Sequence, residues 1–376
     1  MIVWATRLNE TANYTTLYTK TRQLAYDLDG SRQTTGAMQI HSTTDWAEDI
    51  FSFDDYHSSN GNAELLPPLA GVPYFVSEAV GALDGPPTYR WIDPGPTLAS
   101  QAFMHAQVHN IAQSNMRYAG LLGWAGIDYA SLNGGNRIWD NLKTPGVIDT
   151  FRVPKPGAAF YQPQVDPRTR PVILPVFFWH SGPSSSPGGP GPNAMIATNC
   201  DRLEIYLGGR HVATGTPDTQ RFGSLAYPPV FVDLTVGGTR LPELRMDGYL
   251  GDRKVTATLM SADTSRDRLE LTADDTTIEA DGSDATRITF RAVDAYGNHR
   301  PNVTGDVALS ITGPAVLVGD NPFAFADYGG VGGAFIRSLP AQTGLVQITA
   351  EHPSLGRTSL QVTVTRARSG GTCQDL

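Results

Sequence analysis

The hydrophobic pattern of this chain changes near residue 165, and this change limits the fold more than any other feature of the sequence. Before it, short strand-like apolar runs alternate with segments whose apolar residues recur at helical spacing. Such alternation is typical of α/β folds with a parallel sheet. After Pro167, short runs rich in β-branched and aromatic residues are separated by Gly, Pro and Ser turns. The sequence therefore predicts an α/β region followed by all-β modules.

Five strands are predicted in the first region, at residues 2–8, 35–40, 49–53, 74–76 and 119–124. Apolar residues at helical spacing from Leu17 to Leu28 predict a helix after the first strand, and Asp29-Gly30 supplies its end. Pro96 fits the first turn of a second helix. Five strands with intervening helices describe a large part of a (β/α)₈ barrel, but not all of it.

The all-β part divides into two modules of immunoglobulin-like β-sandwich type, since each has about 100 residues of short alternating strands. We predict domain boundaries at residues 1–165, 169–262 and 265–367, with a polar tail at 368–376.

Composition argues against several kinds of partner. The net charge is −9 and Lys and Arg do not cluster, so no nucleic acid is expected. No apolar stretch reaches the roughly 20 residues that a membrane-spanning helix needs, so no membrane partner is expected either. No signal peptide is visible, and the sequence predicts a soluble protein while leaving cytoplasmic and secreted locations open. Cys200 and Cys373 lie far apart and predict no disulfide framework.

Two glutamates stand at the ends of predicted strands, Glu10 after the first and Glu78 after the fourth. Active sites of β/α barrels are assembled at the carboxyl ends of different strands, so these carboxylates would meet in one pocket. A carboxyl pair suits glycoside hydrolysis, where one group protonates the departing oxygen and the other attacks the anomeric carbon. From position alone, each glutamate is more often a first-turn residue that the helix dipole favours than a catalyst.

The sequence segments around both glutamates resemble motifs of glycoside hydrolase family 2, the family of β-galactosidases and β-glucuronidases. IVWATRLNE at 2–10 resembles its acid/base motif, and YFVSE at 74–78 resembles its nucleophile motif. In the family's order, further segments resemble its fifth, sixth and eighth barrel strands and its closing helix: DLDGSRQTTGA at 27–37, EDIFSFDDYH at 48–57, LLGWAGIDY at 121–129 and GVIDTFRVPKPGAAFY at 146–161. The resemblance covers about residues 1–165, and the β-modules look like accessory domains.

The resemblance assigns a role to each matching residue. Glu10 would be the general acid/base, and Glu78 the nucleophile of a retaining exo-β-glycosidase. Asn9 would donate to the sugar 2-hydroxyl, Tyr56 would hydrogen-bond the nucleophile, and Trp124 would be the platform on which a pyranose ring stacks. Without the resemblance, Tyr56 reads as a loop-edge aromatic and Trp124 as a core residue. No cofactor is implied.

Asn141 and Lys143 bear on the substrate, because they resemble the Asn-x-Lys pair that holds the uronate carboxylate in β-glucuronidases. Their spacing to Gly146 departs from that pattern. A β-galactoside is therefore the leading carbohydrate substrate and a β-glucuronide the alternative. His105 and His109 have the spacing of zinc ligands, but no third ligand accompanies them, so no metal site is predicted.

If Glu10 is the acid/base, residues 1–10 are the fourth barrel strand and the chain resembles a C-terminal fragment that begins there. Two hypotheses follow. The chain carries both carboxylates of a glycosidase, or it is a catalytically inactive fragment that acts as a carbohydrate-binding or interaction module. An oligomer or a missing N-terminal barrel segment would be its protein partner. Alone, the chain is expected to show no turnover of nitrophenyl galactoside.

Overall fold

The computed structural model describes residues 2–9, 11–57, 63–81, 89–131, 142–180, 189–238 and 240–367. The predicted tail at 368–376 lies outside these residues. In the first region the elements are, in chain order, β1 (Trp4–Ala5), α1 (Thr15–Leu28), β2 (Thr34–Met38), β3 (Ile50–Asp55), β4 (Tyr74–Ala79), α2 (Gly95–Gln113), β5 (Tyr118–Leu121), β6 (Tyr129–Ala130) and β7 (Leu142–Lys143).

Strands β1 to β5 form one sheet in sequence order, and each pair of neighbours is parallel. Strands β6 and β7 form a separate antiparallel ribbon. Within the described residues, α-helices follow only β1 and β4. The region is α/β, as predicted, and the carboxyl ends of its five strands share one edge of the sheet.

The predicted strand boundaries were partly wrong, because strand ends depend on pairing with a neighbour rather than on apolar character. The first strand was expected at 2–8, yet only Trp4 and Ala5 pair with β2. The fourth was expected to end at residue 76, yet β4 continues to Ala79 because its polar end still pairs with β3. The segment 146–161 was expected to be a helix. It contains only a 3₁₀ turn, Pro156–Phe160, since prolines lack the N–H that a helix interior needs.

Helix α2 connects the sheet to the rest of the molecule. Its residues Met104 and Val108 pack with Phe53 and Val76 in the core of the parallel sheet. On another face, Ala102 joins a second cluster with apolar residues of the first β-module. Helix α2 therefore buries apolar residues on two faces, which holds the parallel sheet beside the first β-module.

The remaining strands form four sheets. In chain order they are β8 (Ile173–Pro175), β9 (Gly191–Thr198), β10 (Arg202–Leu207), β11 (Arg210–Gly215), β12 (Val230–Leu234), β13 (Leu244–Leu250), β14 (Arg253–Met260), β15 (Arg268–Ala273), β16 (Thr277–Glu279), β17 (Ala285–Val293), β18 (Asp306–Thr312), β19 (Ala315–Val318), β20 (Phe323–Ala324), β21 (Val331–Ser338), β22 (Gly344–His352) and β23 (Gly356–Thr365).

Each β-module consists of two sheets that share one core. The first module combines the sheet β11-β10-β13-β14 with the sheet β12-β9-β8, and Leu203 and Val230 meet between them. The second combines β15-β17-β21-β19 with β16-β23-β22-β18-β20 around Phe290 and Ile348. The described residues of both modules contain only short 3₁₀ turns besides strands, as the sequence predicts. No helix in the described part of the chain is long and apolar enough to cross a membrane.

Candidate functional site

Glu78 lies near the carboxyl end of β4, and donors from other strand ends reach both of its carboxylate oxygens. The Tyr56 hydroxyl, just after β3, donates to Oε2 at 2.5 Å. The Asn9 amide nitrogen, after β1, donates to Oε1 at 3.4 Å. All three side chains are half-buried. The structure thus brings Asn9, Tyr56 and Glu78 together at one edge of the sheet.

The backbone of β4 is irregular where Glu78 leaves it. Phe53 pairs with Val76, but the next residue of β3, Asp54, pairs with Glu78, so Ser77 is an extra residue in β4. Such a β-bulge bends a strand and changes the direction of its side chains. The Ser77 hydroxyl donates to Asp54 Oδ1 at 2.7 Å.

A second irregularity follows directly. Val80 is buried and has a φ of 76°, the left-handed region that β-branched residues rarely enter. A residue held in this region costs about 1–3 kcal/mol and persists only where its surroundings fix it. The bulge and the strained residue therefore flank Glu78 on both sides.

Tyr56 is held in its protonated form. Burial raises the pKa of its hydroxyl far above the ordinary value, and the hydrogen bond to Glu78 and the charges of Glu78 and Asp54 raise it further. A phenol with a raised pKa remains a donor at all ordinary pH values. Tyr56 is therefore suited to orient the Glu78 carboxylate rather than to exchange protons.

Trp124 borders the same space as Tyr56. Its backbone N–H donates to the carbonyl of Ala79 at 2.7 Å, which ties it to the end of β4. A Cβ atom on Gly81 would lie 2.9 Å from the Tyr56 ring and 3.0 Å from the Trp124 ring, so both rings adjoin this glycine. Trp124 is half-buried and lies just beyond the carboxyl end of β5.

The β6–β7 ribbon adds two side chains next to Trp124. The ring of Tyr129 meets that of Trp124 edge-on, with centroids 5.7 Å apart. Tyr129 pairs with Lys143 across the ribbon, and directly paired residues project from the same face. Lys143 therefore lies on the ribbon face that Trp124 contacts.

A buried polar cluster supports the segment before Trp124. The Tyr161 hydroxyl lies 2.7 Å from His105 Nδ1 and 3.1 Å from His109 Nε2. A Cβ atom on Gly123 would lie 2.7 Å from both His105 and the Tyr161 hydroxyl, so only glycine fits there. Burial lowers the pKa of His105 to about 3 and that of His109 to about 4. Both imidazoles are neutral at neutral pH and lie within hydrogen-bond distance of the Tyr161 hydroxyl.

A buried ion pair fixes the chain beyond the ribbon. The Lys155 ammonium lies 2.8 and 2.9 Å from the two Asp128 carboxylate oxygens and also donates to the carbonyls of Tyr89 and Thr144. The Gly146 N–H donates to Asp128 at 2.8 Å. Burial raises the pKa of Asp128, and the Lys155 charge opposes that rise.

Two of the predicted site residues, Glu10 and Asn141, lie outside the described residues. The expected separation of the two carboxyl groups accordingly stays a prediction. Sequence reasoning missed Asp54, Ser77 and Tyr129. A signal for Asp54 was present, since it precedes Tyr56 by two residues and alternate strand residues share a face.

Comparison with known proteins places these observations in a family. A curated β-galactosidase from Thermoanaerobacterium thermosulfurigenes is 30% identical over 352 residues, which cover 89% of this chain and 47% of the relative. The family model described as glycoside hydrolase family 2 C-terminal domain 5 matches residues 269–361. These comparisons support glycoside hydrolase family 2 as the family of this chain.

Solved structures show the same fold as this chain. A β-glycosidase from Bacteroides vulgatus superposes with a TM-score of 0.67 at 16% identity, over 96% of this chain and 51% of that one. A β-glucuronidase from glycoside hydrolase family 2 gives a TM-score of 0.65 at 17% identity, over 94% and 38% of the two chains. The chain spans about half the length of the curated relatives it matches.

Proposed function

We propose that this chain carries the catalytic carboxylates of a retaining exo-β-glycosidase whose substrate is a β-galactoside. The observation that supports this most is the environment of Glu78. It is a carboxylate at the carboxyl edge of a parallel sheet, with a tyrosine hydroxyl on one oxygen, an amide on the other and a tryptophan ring close by. That arrangement suits a nucleophile that must be oriented without being protonated.

In the proposed mechanism, Glu78 attacks the anomeric carbon while Glu10 protonates the departing oxygen. Glu10 then removes a proton from the water that releases the sugar from Glu78. Tyr56 orients the Glu78 carboxylate through its hydrogen bond. Asn9, whose amide reaches Glu78, would also donate to the sugar 2-hydroxyl. For a retaining enzyme we expect the two carboxyl groups to lie about 5–5.5 Å apart.

The proposal extends to the architecture. We propose that β1 to β5 are strands 4 to 8 of a (β/α)₈ barrel and that the two β-modules are immunoglobulin-like accessory domains. The parallel order of the sheet supports the first statement. The two-sheet construction of each module supports the second. Trp124, at the end of the last barrel strand, would form the wall on which the sugar ring stacks.

A mechanism-based inactivator tests the role of Glu78. A dinitrophenyl 2-deoxy-2-fluoro-galactoside has a leaving group that departs without protonation, so labelling needs the nucleophile but not Glu10. We expect intact-mass spectrometry to show one fluorosugar per chain, and peptide mapping to place it on Glu78. Glu78→Gln should abolish the label, whereas Glu351→Gln, at an exposed position of β22, should label like the unchanged chain. A label on another residue, or none, would contradict the proposal.

A β-glucuronide is the second candidate substrate, and the position of Lys143 favours it. Lys143 shares a ribbon face with Tyr129, which contacts Trp124. An ammonium there could meet a substrate carboxylate. Rates of labelling by the fluoro-galactoside and the fluoro-glucuronide decide between the two. Faster labelling by the glucuronide, lost in Lys143→Met, would replace galactoside as the substrate.

The non-catalytic alternative, an interaction module, is favoured by the apolar surface around β1 and α1. Leu24 and Leu28 of α1 are 56% and 79% exposed, and a groove of about 580 Å³ runs between the helix and β1. The outer edge of β1 has no strand beside it in the described part of the chain. A further β/α segment would fit both features. Labelling of Glu78 by the inactivator would rule out this alternative as the sole function.

A further inference from the structure

The direction of the Glu78 side chain depends on an irregular piece of backbone, and one carboxylate on the neighbouring strand holds that piece. In β4, Ser77 and Glu78 lie opposite the single residue Asp54 of β3. Without the extra residue, the alternation of a regular strand would place Glu78 on the other face of the sheet. The bulge therefore decides whether Glu78 can meet Tyr56.

Asp54 is well placed to fix this bulge. It is 7% exposed, and its Oδ1 accepts a hydrogen bond from the Ser77 hydroxyl at 2.7 Å. A bond between a hydroxyl and a carboxylate is among the stronger hydrogen bonds in proteins. Because Ser77 directly precedes Glu78, holding its side chain also fixes the peptide unit from which Glu78 projects. Val80 is buried and its backbone has a left-handed conformation, so it constrains the same segment from the other side.

We propose that Asp54 is a positioning residue for Glu78, acting through Ser77 to fix the bulge that directs the Glu78 carboxylate to Tyr56. The inference rests on the proposed role of Glu78 as nucleophile and adds the residues that hold it in place. Asp54 also contributes to the raised pKa of Tyr56, which keeps that hydroxyl a donor. Both effects serve the one hydrogen bond between Tyr56 and Glu78.

Four variants test the proposal. Asp54→Ala removes the acceptor, Ser77→Ala removes the donor, and the double variant removes both. Asp54→Asn retains an oxygen that can accept from Ser77. Ser52→Ala is the matched control, since Ser52 also takes part in a hydrogen bond between side chains of neighbouring strands, accepting from the Thr35 hydroxyl at 3.1 Å. The full chain is used throughout.

The kinetic measurement is labelling by the fluorosugar inactivator, separated into a maximal rate constant and an inactivator concentration for half-maximal rate. A nucleophile displaced by about 1 Å can lose about 100-fold in rate, so we expect Asp54→Ala and Ser77→Ala each to lower the rate constant ~30–100-fold. The double variant should lose no more than either one, because both remove the same bond. Asp54→Asn should stay within ~5-fold of the unchanged chain, and Ser52→Ala within ~2-fold.

Two kinetic results would overturn the proposal. If Asp54 instead contacted the sugar, Asp54→Asn would raise the half-maximal concentration as much as Asp54→Ala does. If Ser77→Ala labelled at the unchanged rate, the bond between Ser77 and Asp54 would not position Glu78. Should Asp54→Ala not fold, the Ser77→Ala result decides.

Crystal structures of the same variants separate this proposal from the proposed function, because they need no chemistry. We expect the 2.5 Å contact between Tyr56 and Glu78 to be lost in Asp54→Ala and retained in Asp54→Asn. An unchanged bulge and contact in Asp54→Ala would overturn the proposal. If the unchanged chain is never labelled, the proposed function fails, and the two structures still decide whether Asp54 positions Glu78.

Discussion

The core of the second β-module and helix α1 of the parallel-sheet region differ in how far their apolar side chains are buried. In the module, Phe290, Ile348 and Val362 are fully buried between two sheets. In the parallel-sheet region, Leu24 and Leu28 face outward from α1. Sheet pairs that enclose a core supply their own hydrophobic stabilisation, whereas exposed leucines contribute almost nothing to stability in this chain. The site therefore lies in the region that contains this poorly buried helix.

The largest expected effect concerns matched truncations in the two regions. Phe290→Ala would leave a cavity in the core of the second β-module and should cost about 3–5 kcal/mol of unfolding free energy. Leu24→Ala removes an exposed side chain and should change it by less than about 0.5 kcal/mol. Urea unfolding followed by circular dichroism measures both. A cost at Leu24 close to that at Phe290 would mean that α1 is covered in solution, and the contrast between the regions would fail.

The region that contains the site is also stabilised by a buried ion pair, Lys155 with Asp128. Lys155 is 2% exposed and surrounded by four oxygen atoms. Lys155→Met would leave the Asp128 charge buried without its partner and should cost about 3–5 kcal/mol.

The matched control is Lys254→Met, in the first β-module. The Lys254 side chain is 46% exposed and pairs with Asp247 at 2.7 Å. Such a partly exposed pair should be worth less than about 1 kcal/mol. Equal costs for the two lysines, measured by urea unfolding, would contradict the structural role assigned to the buried pair.

Local patterns explain what the sequence could predict. The spacing from Leu17 to Leu28 predicted α1, and the helix does end at Leu28, before Asp29. Short alternating runs predicted the strands of the second β-module, the last of which the structure places at Gly356–Thr365. In both cases the signal lies within one element, so it needs no knowledge of neighbours.

Features that depend on pairing between elements could not be predicted. The expected strand at 2–8 shrank to two residues because β2 pairs with only those two. Strand periodicity placed Glu78 at a strand end, whereas the roles of Tyr56 and Trp124 came only from the resemblance to a family. Asp54 was missed because its contact with Ser77 arises from a bulge between two strands, and no single-strand pattern encodes a register shift.

The stability of the folded chain in acid should depend on His105, which lies on α2. Burial first, and then the neighbouring His109, lower the pKa of His105 to about 3 in the folded chain. An unfolded histidine titrates near 6.5, so between about pH 6.5 and pH 3 the unfolded state binds the proton and the folded state does not. This contribution to stability is therefore complete above pH 6.5 and decreases as the pH falls, by on the order of 1.4 kcal/mol per pH unit.

His105→Gln removes this titration and should flatten the acid side of the stability curve by that amount. Urea unfolding of both chains at intervals from pH 7.5 to pH 4.5 measures the difference in slope. Parallel curves would show that His105 is protonated in the folded chain, and the buried cluster of His105, His109 and Tyr161 would need a different description.

The smallest effect is expected for a network of charged side chains on the surface of the first β-module. Glu204 accepts hydrogen bonds from Arg202, His211 and Thr214, each at 2.7 Å. The Thr214 hydroxyl is the main cause of the lowered pKa of Glu204, and water around the exposed His211 screens the remaining charges. Exposed ion pairs contribute about 0–1 kcal/mol, so Glu204→Gln should cost less than about 1 kcal/mol, and 1 M salt should reduce that cost further. A loss comparable to that of Lys155→Met would show that three good hydrogen-bond lengths stabilise as much on the surface as in the interior. Burial would then not determine how much an ion pair stabilises this chain.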